Sequence, residues 1–408
     1  MTHPTLSARR ERWLLLTIAG IQFTHILDFM IMMPLGPQFT RLFDISDAQF
    51  GLLVSAYTLS AGVSGLAAAT YVDRFDRKRL LLTLYAFFAM ATLACGLATD
   101  FGFMMAARVA AGMFGGVLSA LSQTIVADVV PFERRGRAMG IVMSSFSFST
   151  VAGVPMGLYL ANHLGWQAAF FAIAAVSALL AVGAALTLPR LDHHLRVANR
   201  PSAFRGIAMV LTERNHLEAF AFSALLMFAG FLVIPFITIF MQANVGMTDA
   251  QIPLIYLCGG LATLVTARLF GRMSDRLGKV RTFSLLAVAV NLPLLATTLL
   301  PAAPLPVVLV VSTLLFVFLS GRMIPGMALI TSAANPALRG TFMVLNAAVQ
   351  SAAMGLAAFL GGLIISRDAA GLVQHYWVSG LVGTVASLAS IWVARRLVLH
   401  GALVGRPA

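Results

Sequence analysis

Charged residues and cysteine are scarce in this chain. Only 11% of its 408 residues are charged and 59% are hydrophobic, with a mean hydropathy of +0.89. So little charge cannot cover the surface of a water-soluble protein of this length. The two cysteines, Cys95 and Cys258, both lie in apolar stretches, which excludes a disulfide framework and a thiolate metal site. The composition therefore predicts an integral membrane protein with the lipid bilayer as its solvent.

Several functional signals are also missing from the sequence. No Gly-x4-Gly-Lys-Ser/Thr motif occurs, so ATP-driven chemistry has no phosphate loop. The few histidines and carboxylates form no catalytic or metal-binding cluster, and the pair His193 and His194 is flanked only by Asp192. The net charge of +13 is spread over short loops, which is not the pattern of a nucleic-acid partner. We expect neither cofactor nor metal.

Long apolar stretches are the dominant positive feature. A hydrocarbon core of about 30 Å requires about 20 apolar residues per helix. Twelve such spans are present, at residues 13–37, 49–72, 80–99, 101–127, 138–162, 166–188, 216–243, 250–270, 282–300, 307–333, 340–366 and 376–397. The first has no small-residue cleavage site, which favours a retained helix over a signal peptide.

The basic residues alternate between the two sides of these spans. With a cytoplasmic N-terminus, 23 of the 28 Lys and Arg residues fall on the cytoplasmic side, two outside and three within spans. We therefore predict that both termini are cytoplasmic. The predicted divisions are an N-terminal tail (1–12), a first bundle (13–188), a linker (189–215), a second bundle (216–397) and a C-terminal tail (398–408).

The two halves repeat each other. The Asp73-Arg74 pair after span two matches Asp275-Arg276 after span eight, at an offset of 202 residues. Arg135-Gly136 matches Arg339-Gly340 at an offset of 204 residues. This duplication predicts an all-α membrane protein of twelve helices in two pseudo-symmetric six-helix bundles.

Local motifs give this architecture a family resemblance. The loop at 69–79 resembles the signature Gly-x3-Asp-Arg-x-Gly-Arg-Lys, with Ala69 and Asp76 replacing its glycines, and the copy at 271–279 keeps both glycines. Residues 27–34, Arg108-x3-Gly112 and residues 153–157 resemble motifs of proton-coupled efflux proteins. The chain thus resembles the major facilitator superfamily, in its drug and sugar efflux branch. Pro155 lies one position later than the proline of the usual Gly-Pro form of the antiporter motif. This variant resembles the motif of the arabinose-efflux-like permeases more closely.

Asp28 is the leading candidate for proton coupling. A carboxylate deep in a span costs about 2.5–3.5 kcal/mol on insertion scales and is normally retained for a function. At 1.5 Å per residue, Asp28 and Arg108 lie about 13 Å and about 12 Å from the outer ends of their spans. We hypothesise that they pair and that protonation releases the pair, although a fixed ion pair between helices is the alternative. His25, on the same helix face, is either a proton relay or a packed residue.

The resemblance also implies a conformational latch and a helix-five motif. A carboxylate at the end of span two can cap the N-terminus of a neighbouring helix. The alternative is that the charged residues of these loops only determine the topology of the spans. The implied latch residues are Asp73, Arg74, Arg77, Asp128, Asp275 and Arg276. In span five, Gly153, Pro155 and Gly157 favour a bend and a close approach to a facing helix.

Six further polar residues are candidates for a substrate cavity. They are Gln22, Tyr57, Gln123, Arg322, Asn346 and Gln350. Arg322 either meets an anionic substrate or extends towards the membrane surface.

Together these features predict a secondary active transporter that exports a small molecule in exchange for protons by alternating access. A facilitator or importer of the same fold and, more remotely, a polytopic membrane enzyme are the alternatives. The substrate remains open among hydrophobic cations, sugars, amino-acid derivatives and antibiotics. The excess of Arg over Lys suggests a GC-rich bacterial genome and therefore the inner membrane of a bacterium. Two bundles of six helices can enclose a complete transport pathway, so we expect the monomer to be functional.

Overall fold

Helical segments long enough to cross a membrane dominate the described part of the chain. The computed structural model describes residues 8–130, 134–189 and 203–400. Within these ranges, 12 helical segments are long and apolar enough to cross a membrane. They are Arg9–Ile31, Asp47–Ala68, Arg77–Gly96, Phe101–Val126, Ala138–Leu164, Gln167–Thr187, Arg214–Ala243, Ile252–Leu277, Lys279–Thr298, Leu305–Ala333, Arg339–Ile364 and Tyr376–Ala394. The predicted twelve-helix all-α membrane fold is confirmed.

The helices and strands are numbered in chain order. The first eight helices are α1 (Ala8–Ile31), α2 (Gly36–Leu42), α3 (Asp47–Tyr71), α4 (Arg77–Gly96), α5 (Phe101–Val129), α6 (Arg135–Phe148), α7 (Val154–Leu164) and α8 (Gln167–Thr187). The next six are α9 (Ala203–Thr212), α10 (Arg214–Phe231), α11 (Ile237–Ala243), α12 (Ile252–Leu277), α13 (Lys279–Ala289) and α14 (Asn291–Thr298). The last elements are α15 (Leu305–Ala333), α16 (Arg339–Ile364), β1 (Ser366–Arg367), β2 (Val373–Gln374) and α17 (Tyr376–Ala394).

Contacts group the chain into two compact units. The first contains the described residues of the ranges 1–32 and 56–200, and the second contains those of 33–55 and 201–408. The second unit therefore includes the start of α3 together with α2. The predicted bundle boundaries at 13–188 and 216–397 remain predictions.

A regular four-residue repeat joins α1 to the fifth span in the first unit. The hydroxyl of Ser145 donates to the carbonyl of Ala19 (2.7 Å), and that of Ser149 donates to the carbonyl of Phe23 (3.2 Å). One and two turns further on, Gly153 and Gly157 face α1. A Cβ atom on Gly153 would lie 2.9 Å from Leu27, and one on Gly157 would lie 2.7 Å from Ile31. Small residues at every fourth position thus let the two helices approach closely.

The fifth span also changes its helical geometry within this contact. Ser149–Gly153 form a π-helix between α6 and α7, directly before Pro155. Proline has no N–H to donate to the carbonyl four residues earlier, and its ring crowds that carbonyl. The widened turn accommodates this break, and the bend expected in this span stays a prediction.

In the second unit, the start of α3 crosses the end of α16 at two glycines. A Cβ atom on Gly51 would lie 2.6 Å from the carbonyl oxygen of Ala358, and one on Gly362 would lie 2.7 Å from that of Asp47. The rings of Phe50 and Phe236 meet edge to face beside this crossing, at 6.1 Å between centroids. Glycine at both positions permits this close backbone contact.

Three features of the fold depart from the continuous spans and linker read from the sequence. Span seven is interrupted, because α10 ends at Phe231 and Pro235 lies in a 3-10 turn before α11. The predicted linker contains α9, in which Val210 is buried. A short hairpin, β1 with β2, precedes α17. Two-residue strands and a ten-residue helix are too short for periodicity to reveal.

Candidate functional site

The central pair of the first unit lies between α1 and α5. Asp28 is one turn before the end of α1, and Arg108 is two turns after the start of α5. The Asp100 carboxylate fixes that start by accepting a hydrogen bond from the N–H of Phe103 (3.0 Å), which lowers the pKa of Asp100. Because both helices are regular, their rise brings Asp28 and Arg108 to one level.

Asp28 and Arg108 form a salt bridge closed off from solvent. Arg108 Nη1 donates to Asp28 Oδ2 at 2.9 Å and to the Asp28 carbonyl at 3.2 Å. Both side chains are 0% exposed. Among the described residues, Asp28 Oδ1 and Arg108 Nε and Nη2 have no hydrogen-bond partner. The pairing expected from the depth count is present, but three of the five polar side-chain atoms of the pair are left without a hydrogen bond.

Tyr57 covers the guanidinium of this pair. Arg108 Cζ lies 4.4 Å from the centroid of the Tyr57 ring, which also stacks on Phe29 at 5.4 Å. The Tyr57 hydroxyl reaches the carbonyl of His25 at 3.5 Å, and the residue is 2% exposed. The sequence assigned Tyr57 to a substrate cavity, and the structure places it against the ion pair.

His25 lies beside the pair without a defined proton path. Its ring centroid is 6.1 Å from those of Tyr57 and Phe88, and the side chain is partly exposed. Its Nδ1 atom has no hydrogen-bond partner in the described part of the chain. These contacts fit a packed histidine, and the relay role stays a prediction.

The helix-five motif reaches the residues that flank Asp28. Gly153 contacts Leu27 and Gly157 contacts Ile31, while Pro155 begins α7 between them. The close approach predicted for this motif is therefore made to α1. The serines that extend the contact were missed by sequence reasoning, although their four-residue spacing from the glycines was an available signal.

The other predicted cavity residues have different environments. Gln22 is 2% exposed and donates to Ser119 Oγ (3.4 Å), whereas Gln123 is exposed. In the second unit Gln350 donates to Ser223 Oγ at 2.9 Å, and Asn346 is 1% exposed. Each unit thus ties one glutamine to a serine of a neighbouring helix.

Arg322 is a deeply buried cation of the second unit. Its Nη1 donates to Ser387 Oγ (3.1 Å) and its Nη2 to the carbonyl of Leu226 (3.1 Å). The side chain is 2% exposed, and no carboxylate lies within ion-pair distance among the residues the structure describes. Arg322 therefore joins α15 to α10 and α17, and its role towards a substrate stays a prediction.

The latch residues are described only in part. The side chains of Asp73 and Asp128 lie outside the described residues, so the predicted capping and bridging by them stay predictions. Arg77 is buried at the start of α4, while Arg74, Asp275 and Arg276 are exposed. Within the described ranges, no group of three or more His, Cys, Asp or Glu side chains has the arrangement of a metal site.

Comparisons with known proteins agree with this architecture. The sequence profile of the Major Facilitator Superfamily matches residues 18–217 and 219–406. The chain is 26% identical over 380 residues to the uncharacterized MFS-type transporter YtbD of Bacillus subtilis (strain 168), covering 93% of this chain and 94% of that protein. It is 29% identical over 347 residues to a chloramphenicol resistance protein of Streptomyces lividans, covering 83% and 85%.

A solved structure with the same fold is that of a D-xylose-proton symporter. Its TM-score is 0.75 at 17% identity, and the match covers 94% of this chain and 97% of that one. At this identity the likeness concerns the fold alone. The profile match over nearly the whole chain shows that the protein belongs to the Major Facilitator Superfamily, as a multi-pass membrane transporter and not an enzyme.

Proposed function

We propose that this transporter is a proton-coupled antiporter that exports a small molecule by alternating access. The observation that supports this proposal is the buried ion pair of Asp28 and Arg108, 2.9 Å apart and 0% exposed. A carboxylate at this depth is costly and marks a proton or substrate pathway by default. Protonation of Asp28 removes its attraction for Arg108, so the two protonation states favour different arrangements of α1 and α5.

A single proton supplies enough free energy for this exchange. Moving one charge through the membrane potential releases about 2.3 kcal/mol per 100 mV. A pH difference of one unit adds about 1.4 kcal/mol. Together these terms sustain a substrate gradient of roughly a hundred- to several-hundred-fold.

Export, as the direction of transport, is supported by the contacts of α1. Gly153 and Gly157 of the antiporter-like motif pack against the residues on either side of Asp28. A change in the Asp28 pair is thereby transmitted to the fifth span, whose π-helix provides an irregular and adaptable turn. The similarity to a chloramphenicol resistance protein of Streptomyces lividans makes chloramphenicol the first substrate to test.

The location and assembly follow from the same reasoning. We propose the inner membrane of a bacterium, with both termini cytoplasmic, because the basic residues concentrate in the loops on the side of the N-terminus. We propose a monomer as the transporting unit, because one chain contains all 12 spans.

The test measures proton movement triggered by substrate. Purified protein is placed in proteoliposomes with an internal pH-sensitive dye, and chloramphenicol, a panel of cationic drugs and a panel of sugars are added in turn. The wild-type chain is compared with Asp28→Asn and with Asp44→Asn. Asp44 is an exposed acid in a left-handed conformation that asparagine also adopts, so it is a matched control.

We expect one substrate class to move protons in the wild type and in Asp44→Asn, with at least a tenfold smaller rate in Asp28→Asn. Substrate flux that continues in Asp28→Asn without any proton signal in either protein would leave a facilitator in which the pair only joins helices. Proton and substrate moving in the same direction would instead identify an importer.

A further inference from the structure

Two glycines of α5 let this helix lie close to Tyr57, Gly112 beside its backbone and Gly115 beside its hydroxyl. A Cβ atom on Gly115 would lie 2.7 Å from the Tyr57 hydroxyl oxygen, and one on Gly112 would lie 2.9 Å from the Tyr57 carbonyl carbon. Phe29 stacks on the ring at 5.4 Å between centroids. The position of the ring over the guanidinium is therefore fixed by packing on α1, α3 and α5.

Arg108 has few other partners. All its described hydrogen bonds come from Nη1 and go to Asp28, whereas Nε and Nη2 make none to the described residues. The side chain is 0% exposed, so water cannot replace a lost partner at its present position. When Asp28 is neutral, the Asp28 carbonyl, the neutral Cys95 thiol and the electron-rich face of Tyr57 are the contacts that remain for the cation.

We propose that Tyr57 is a positioning residue that holds Arg108 while Asp28 carries a proton, and thereby sets the pH at which Asp28 is protonated. This inference rests on the proposed function. A desolvated cation–π contact stabilises the guanidinium, and it matters most when the carboxylate no longer offsets the guanidinium charge. The aromatic face also disfavours a nearby anion, which acts in the same direction.

The other groups around the pair do not offer an equivalent partner. His25 on α1 lies 6.1 Å from the Tyr57 ring, between centroids, and presents no negative charge. On α4, Thr92 and Cys95 are neutral neighbours of the pair. Tyr57 is the aromatic side chain whose face lies over Arg108 in the described structure. Its 2% exposure leaves little surface for contact with a substrate.

The test is an infrared titration of Asp28 in detergent-purified protein, followed by the carboxylic acid band that disappears in Asp28→Asn. Tyr57→Leu removes the ring, and Tyr57→Phe removes only the hydroxyl, whose contact with His25 is long at 3.5 Å. Tyr57→Trp supplies a stronger aromatic face, and Tyr57→Met is a second non-aromatic variant should the leucine variant not fold.

We expect half-protonation of Asp28 to move to lower pH by about one unit in Tyr57→Leu and Tyr57→Met, which corresponds to about 1.4 kcal/mol. Tyr57→Phe should titrate like the wild type, and Tyr57→Trp should titrate at the same or a higher pH. The pH profile of transport should shift in parallel. A structural role alone would lower thermal stability without moving the titration.

The two proposals fail in different ways. An Asp28 band that titrates in the wild type but is unchanged in both non-aromatic variants overturns the role of Tyr57. A shift of the Asp28 midpoint in Tyr57→Phe as large as that in the non-aromatic variants would also overturn it, since the aromatic face is retained in Tyr57→Phe. A wild-type protein with no titrating Asp28 band and no proton movement would contradict the proposed antiport itself.

Discussion

Two aspartate–arginine salt bridges among the described residues differ in burial and in bonding. Asp28 and Arg108 are 0% exposed and share a single side-chain hydrogen bond. Asp47 and Arg367 form two, from Nε to Oδ2 at 2.9 Å and from Nη2 to Oδ1 at 2.8 Å, and Arg367 is 37% exposed. The first pair is enclosed and poorly hydrogen-bonded, whereas the second is well hydrogen-bonded and reaches water through Arg367, with Asp47 only 4% exposed.

The surroundings of the second pair explain its geometry. Arg367 belongs to the β1–β2 hairpin, which Asn244 holds through two hydrogen bonds with the backbone of Val373, each 2.9 Å long. The hydrogen bond to Asp47 raises the pKa of Arg367, so it stays a cation at any ordinary pH. A bidentate arginine–carboxylate pair of this kind is a directional fastening. The comparison indicates that the second pair fastens the start of α3, whereas the first is suited to change.

The comparison is tested most strongly by removing one partner of the buried pair. Arg108→Gln leaves the Asp28 carboxylate without its counter-ion, and we expect a loss of about 3–5 kcal/mol in the free energy of unfolding. The double variant Asp28→Asn with Arg108→Gln should recover most of that loss, because no buried charge remains unpaired. Thermal unfolding in detergent measures both, and transport should stay abolished in the double variant.

Equal losses in the single and double variants would contradict this account. They would mean that the pair contributes shape and packing and not a charge balance.

A smaller effect on the free energy of unfolding is expected at the pair of Asp47 and Arg367. Asp47→Asn or Arg367→Gln should lower the free energy of unfolding by about 1 kcal/mol, because water replaces part of the lost interaction. The exchange of both charges, Asp47→Arg with Arg367→Asp, should restore part of it. The neighbouring exposed Arg41 offers a control, since Arg41→Gln removes a charge from the same segment outside this pair.

If exchange of the charges recovers nothing, the attraction between them is not what stabilises this contact. If Arg41→Gln has the same effect as Arg367→Gln, net charge and not pairing is responsible.

The smallest effect concerns the pH dependence of the hairpin. Backbone N–H groups, Leu372 first, donate to Asp368 and lower its pKa. Because the pKa of Asp368 is lower in the folded hairpin, its carboxylate stabilises the hairpin at a pH above the ordinary aspartate pKa of about 3.9. This contribution is lost as the pH falls through the pKa of Asp368 in the folded state. The protection of the Leu372 amide from hydrogen exchange, corrected for the intrinsic exchange rate, should therefore be constant from neutral pH down to about pH 4. Below about pH 4 the protection should fall.

An Asp368→Asn variant separates this cause from others. It should show no loss of protection that depends on pH in the acid range, and a wild-type hairpin that opens already near pH 6 would contradict the assignment.

The predictability of the site varied from residue to residue for physical reasons. Asp28 and Arg108 were matched in depth because the rise of an α-helix is fixed by its own hydrogen bonds. The contact of Gly153 and Gly157 with a neighbouring helix followed from their lack of side chains. Tyr57 was assigned to a cavity because sequence periodicity does not give the rotation of α3 about its axis.

The second pair lay beyond sequence reasoning altogether. Asp47 and Arg367 are 320 residues apart. Asp47 comes just before the second predicted span and Arg367 just after the eleventh, so hydrophobic periodicity relates neither of them to the other. Span seven was read as continuous because its hydropathy conceals Pro235, and α9 was read as linker because ten residues give too little pattern.

The sequence alone determined that the chain is a twelve-helix membrane protein built from two related halves, because hydropathy, helix length and the distribution of Arg and Lys act locally along the chain. Only the tertiary structure decided which side chains meet: Tyr57 with Arg108, Asp47 with Arg367, and Arg322 with Ser387. Helix backbones satisfy their own hydrogen bonds, so rotation and crossing of the helices are set by the packing of small residues between distant segments. That packing decides the partner of each buried charge.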